Sequence, residues 1–101
     1  MSKHMAAVAA LLLGVAPAFA AQEHLDIISQ QCGIQIGQTP AVCGCMAQSA
    51  GAQLSENQQA FMAAQVTANG PEIARTQGLL SPDEAVSVMQ FMTTIVQACG
   101  G

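Results

Sequence analysis

The sequence predicts an all-α fold, a compact bundle of four to five short helices stapled by two disulfides. Three observations carry this expectation. Helix-starting signals recur at Thr39-Pro40, at Ser55 with Gln58, and at Ser81-Pro82 with Glu84. Apolar residues between these signals repeat every three to four positions. Four cysteines, Cys32, Cys43, Cys45 and Cys99, in a chain of 101 residues fit a disulfide framework.

The N-terminus reads as a secretory leader. Lys3 supplies a positive start, Met5 to Val15 is an apolar run, and Ala18-Phe19-Ala20 is a small-x-small cleavage site. The run is well short of the roughly 20 residues of a membrane-spanning helix. Residues 1–20 are therefore expected to be cleaved, leaving residues 21–101 as a single disulfide-stapled helical domain in the periplasm or secreted. No membrane span remains after cleavage.

Charge narrows the functional classes. After Ala20 the single base Arg75 faces six carboxylates, Glu23, Asp26, Glu56, Glu72, Asp83 and Glu84, a formal charge of −5 with His24 neutral. One cation cannot neutralise a phosphate backbone, which argues against nucleic acid. The same balance disfavours an anionic membrane surface. Trp and Tyr are absent, and Phe61 and Phe91 are the aromatics beyond the leader. Stacking platforms for bases or sugars are correspondingly few.

The elements follow in order. Leu25, Ile28 and Cys32 share one face of a first helix, with Gly33 as its expected C-cap. The alternating Gly33-Ile-Gln-Ile-Gly37 segment has no partner strand and reads as a loop. Thr39 and Pro40 open a second helix, on which Cys43, Ala47, Ala50 and Leu54 align. Gly44 and Gly51 weaken it by about 1 kcal/mol each relative to Ala. Its small residues Ala47, Ala50 and Gly51 would admit a close neighbour. Ser55 and Gln58 box the start of a third helix, which Asn69, Gly70 and Pro71 end. Pro71 begins a short helical turn that Gly78 terminates, and Leu79 and Leu80 are expected to tuck into the core. Ser81, Pro82 and Glu84 start the strongest element, a helix over Pro82 to Ala98. Its expected buried stripe is Ala85, Val88, Met89, Met92, Ile95, Val96 and Cys99, with Gly100 closing it.

Cys43 and Cys45 decide the chemistry. Residues two apart on a helix diverge by about 200°. The pair therefore reaches two different neighbours more easily than itself. Cys43 lies on the core stripe and Cys45 on a more peripheral face. The preferred pairing is Cys32–Cys45 with Cys43–Cys99. Cys32–Cys43 with Cys45–Cys99 is the open alternative. The long and short closures are worth roughly 4 and 3 kcal/mol in the chain-entropy model.

A sharper reading makes Cys43-Gly44-Cys45 a thiol-redox pair, or makes Cys43, Cys45 and Met46 a Cu(I) site, since thiolates and thioethers suit soft ions. Against it, no Cys-x-x-Cys motif, βαβ pattern or nearby base accompanies the cysteines, and the methionines fit core packing. Asp83 and Glu84 fit helix capping, His24 lies in an exposed first turn, and Ser49 and Ser55 have no activating histidine. No catalytic residue and no cofactor is expected, and the chain reads as a non-enzymatic interaction or ligand-binding module. Its partner would be a protein or a small apolar ligand, met on the exposed remainder of Ala60–Val66 together with Leu79 and Leu80.

Overall fold

The computed structural model describes residues 22–101. The expected leader and its cleavage site lie outside them. The described chain is helical with no strand: α1 (22–31), α2 (Pro40–Gln53), α3 (Glu56–Thr67), α4 (Gly70–Gln77) and α5 (Pro82–Ala98).

Helix starts follow the caps. The Thr39 hydroxyl accepts from Val42 N at 3.3 Å, and Pro40 occupies the first turn of α2. Ser55 and Gln58 complete a reciprocal box at α3, and Ser81 and Glu84 do the same at α5. Asn69 caps α4 by accepting from Glu72 N. Each box satisfies two main-chain amides that the helix itself leaves unpaired.

One local expectation is corrected. Gly33 does not end the first helix. The chain runs from α1 into a π-helical turn, Cys32–Ile36, and reverses at Gly37, whose φ of 75° is left-handed. Without a neighbouring strand, the Ile-Gln-Ile segment keeps its amides bonded within its own turn. Ile34 and Ile36 project outward in consequence, 72% and 42% exposed.

The core sits around α3, where Phe61, Met62, Ala63, Ala64 and Val66 are all buried. Ile28 and Cys32 pack in from the α1 side, Val42, Cys43, Met46, Ala47 and Ala50 from α2, and Val88, Phe91 and Ile95 from α5. The small-residue expectation for α2 holds. A Cβ on Gly51 would lie 2.9 Å from Leu25 Cδ1, so α1 rests closely on that turn.

Two facings differ from expectation. On α5 the buried line is Val88, Phe91 and Ile95, while Met89 is 46% exposed. The helix is rotated toward Phe91 because the larger aromatic surface gains more by burial. In the α4–α5 link Leu80 packs partly against the core, but Leu79 is 49% exposed.

Candidate functional site

All four cysteines are bonded, Cys32 to Cys43 and Cys45 to Cys99. The preferred pairing, Cys32–Cys45 with Cys43–Cys99, is therefore corrected to the alternative. Cys43 does face the core, at 2% exposure, but the residue waiting there is Cys32 at 0%. Cys45 is half-buried, as is Cys99, which forms the C-cap of α5 rather than the end of its buried line. Like burial thus joins like. The antiparallel α1–α2 hairpin brings Cys32 and Cys43 together, with Cα atoms 5.5 Å apart. The end of α5 then meets Cys45 across 5.7 Å.

This arrangement separates the three residues of the thiol and Cu(I) reading. Cys43 and Cys45 lie in different bonds and at different depths. Met46 is 1% exposed, with its sulfur 3.5 Å from the Cys32 sulfur inside the core. A disulfide sulfur has no proton to donate, so this is a packing contact between polarizable atoms. Among the described residues, no three His, Cys, Asp or Glu side chains cluster as metal ligands would.

Among the concave surfaces of the described residues, which include a cleft of about 380 Å3 between α1 and α2, two of about 420 Å3 each differ in chemistry. The first lies between α1, α3 and α4. Ala60, Ala63 and Ala64 form its floor, and Glu23, His24, Glu72 and Arg75 stand on its walls. Arg75 and Glu72 form a bidentate pair with N–O distances of 2.9 to 3.1 Å. Hydrogen bonding from Arg75 holds the Glu72 carboxyl below its ordinary range, with the guanidinium charge acting in the same direction. The same bond raises Arg75. The two charges are spent on each other at the surface.

The second cleft is a groove between α3 and α5, closed at one side by Gln77 of α4. Phe61 and Ala85 line it, and Val86, Met89, Gln90 and Thr93 run along it. None of its lining residues is charged. Val86 is 53% exposed and Met89 46%. This surface shares only Phe61 and Gln65 with the one read from the sequence, and Leu79 and Leu80 do not line it. Ala60 to Ala64 and Val66 are buried, at 9% exposure or less, so that stretch leaves no apolar remainder of its own. The missed signal lay on α5, where Val86, Met89 and Thr93 follow an i, i+3, i+7 line beside the buried one. Among the described residues, no helix is long and apolar enough to cross a membrane. The chain matches no known family, and no significant relative was found among curated proteins or solved structures.

Proposed function

We propose that this is a small exported interaction module, non-enzymatic, which works through the uncharged α3–α5 groove in the periplasm or outside the cell. One observation carries the reading. Val86 and Met89 stand half exposed along the α5 side of a groove that buried Phe61 of α3 also lines. Apolar side chains grouped along a concavity mark contact surfaces, whereas isolated ones do not. Two disulfides in so small a domain agree with an oxidising compartment. They tie the end of α1 to α2 and α2 to the end of α5, the helix that carries Val86 and Met89.

The test is binding of a neutral apolar dye, Nile red, to the oxidised protein. Enhanced emission that is lost in Val86→Glu and Met89→Glu, with unchanged helical circular dichroism, supports the groove. Emission equal in wild type and both variants sinks it.

A further inference from the structure

We propose that Met89 is an oxidation site, and that oxygen transfer to its sulfur by a two-electron oxidant, hydrogen peroxide, turns the α5 side of the groove from apolar to polar. The site stands independently of the interaction reading above; its effect on binding rests on that reading.

Composition selects the thioether as the target. Two-electron oxidants take sulfur first, and a thiolate before a thioether. All four cysteines are bonded, so no thiolate competes. The chain also has no Trp and no Tyr. Burial then separates the methionines of the described residues. Met46 and Met62 are fully buried, and the Met46 sulfur is covered by the Cys32 sulfur at 3.5 Å. Met92 packs partly against the core. Met89 is half exposed. An oxidant must reach the sulfur to transfer oxygen, so access favours Met89 over the other three. The exported location proposed above lies outside the thiol pools that keep the cytosol reducing.

The step balances with peroxide alone. A lone pair on Met89 Sδ attacks one peroxide oxygen, the O–O bond breaks and an S–O bond forms. The sulfur loses two electrons. The second oxygen leaves as water after taking the proton from the transferred hydroxyl. No base is needed, since the thioether has no proton to lose, and none of the groove's lining residues is charged.

The fold tolerates the product and the groove does not. Val88, Phe91 and Ile95 are the buried residues of α5, so the helix keeps its seat when Met89 is modified. The sulfoxide oxygen is a strong acceptor, and Gln65, Gln77 and Gln90 on the same walls carry amide donors for it. Conversion to the sulfoxide makes a flexible apolar side chain polar and disrupts contacts built on it. A neutral apolar ligand then keeps Val86 and loses its neighbour.

The experiment is graded hydrogen peroxide treatment of the disulfide-bonded protein, with peptide mapping by mass spectrometry and Nile red emission read on the same samples. Met89 should gain one oxygen at least about tenfold faster than Met46 or Met62, and faster than Met92. The rate should be equal at about pH 5 and about pH 8, unlike that of a thiol, whose thiolate fraction rises with pH. Emission should fall in proportion to the fraction of Met89 oxidised, with unchanged helical circular dichroism. In Met89→Leu, peroxide should leave emission at that variant's own starting level. Oxidation of Met46 or Met62 as fast as Met89 would overturn the site. Met89 sulfoxide with undiminished emission, or a peroxide response that persists in Met89→Leu, would overturn the effect on binding. Protein that binds no dye before treatment removes the interaction reading and that effect together, and the mapping still decides the site.

Discussion

The Gln58 side chain donates from Nε2 to the main-chain carbonyl of Glu84 at 3.1 Å, while its Oε1 accepts from Ser55 N at 2.9 Å. One amide therefore caps α3 and ties that cap to the first turn of α5, where Glu84 completes a second box by accepting from Ser81 N. The two helix starts are held as a unit.

That double role separates two substitutions. Gln58→Glu keeps an acceptor for Ser55 N and loses the donor to Glu84. Gln58→Ala loses both. Urea unfolding should show a loss of about 1 kcal/mol for Gln58→Glu and about 2 kcal/mol for Gln58→Ala. If Gln58→Glu is as stable as wild type, the bond between the helices contributes nothing.

The two glycines of α2 should respond differently to alanine. A Cβ at Gly44 meets nothing within 4 Å, so Gly44→Ala should stabilise by about 1 kcal/mol through helix propensity. A Cβ at Gly51 meets Leu25 Cδ1 at 2.9 Å, and the Leu25 side chain must turn aside. Gly51→Ala should therefore gain less than Gly44→Ala. In a Leu25→Ala background the gain at Gly51 should rise to match. A thermal-melting double-mutant cycle with no coupling between positions 25 and 51 would contradict this close approach.

Reduction should proceed in a fixed order. Cys45 and Cys99 are half-buried, whereas Cys32 and Cys43 are almost fully enclosed. A thiolate must reach a sulfur to attack it, so access favours the first bond. Graded reduction with alkylation and peptide mapping should label Cys45 and Cys99 first. Labelling of Cys32 and Cys43 first would refute the burial argument. Replacing both cysteines of the outer bond should cost about 4 kcal/mol, since it spans 54 residues. The inner bond spans 11 and closes a loop worth about 3 kcal/mol, to which its removal adds a core cavity.

The pH dependence attached to Glu72 has a definite sign. Arg75 lowers the carboxyl below its ordinary value of 4.5. The native state thus favours the ionised form. Its contribution is fully present above 4.5 and is lost as pH falls through the lowered native value. Both side chains are largely in solvent, so the contribution is small and salt-screened. Thermal midpoints should fall slightly more between pH 5 and pH 3 for wild type than for Glu72→Gln, and about 0.5 M salt should erase the difference. A larger acid loss in Glu72→Gln would reverse the assignment.

Much of the fold was legible because its signals are local. Ser81, Pro82 and Glu84 act within one turn, and α5 spans Pro82 to Ala98 as the periodicity predicts. The caps at Thr39 and Ser55 are local in the same way. The π-helical turn was not legible, since alternation of Ile and Gln is read as strand or loop when the hydrogen-bonding partner lies within the segment itself. The α5 side of the candidate groove was present in the sequence only as an undecided line. Its stripe on α5 differs from the buried one only by rotation about the helix axis, and periodicity does not say which of two adjacent lines turns inward.

The sequence by itself determined an all-helical chain, where its helices begin, and that Cys43 and Cys45 would serve two different neighbours. A helical turn alone sends them in divergent directions. Which neighbour each received was decided by tertiary structure. The close seat of Leu25 on Gly51 and the short reversal at Gly37 lay α1 against α2 and put Cys32 beside Cys43. The burial of Phe91 rotates α5, so Met89 turns to solvent, and its C-terminal turn brings Cys99 to Cys45. Those choices depend on which surfaces of separate helices pack best together, a free-energy difference summed over the whole core and absent from any one stretch of sequence.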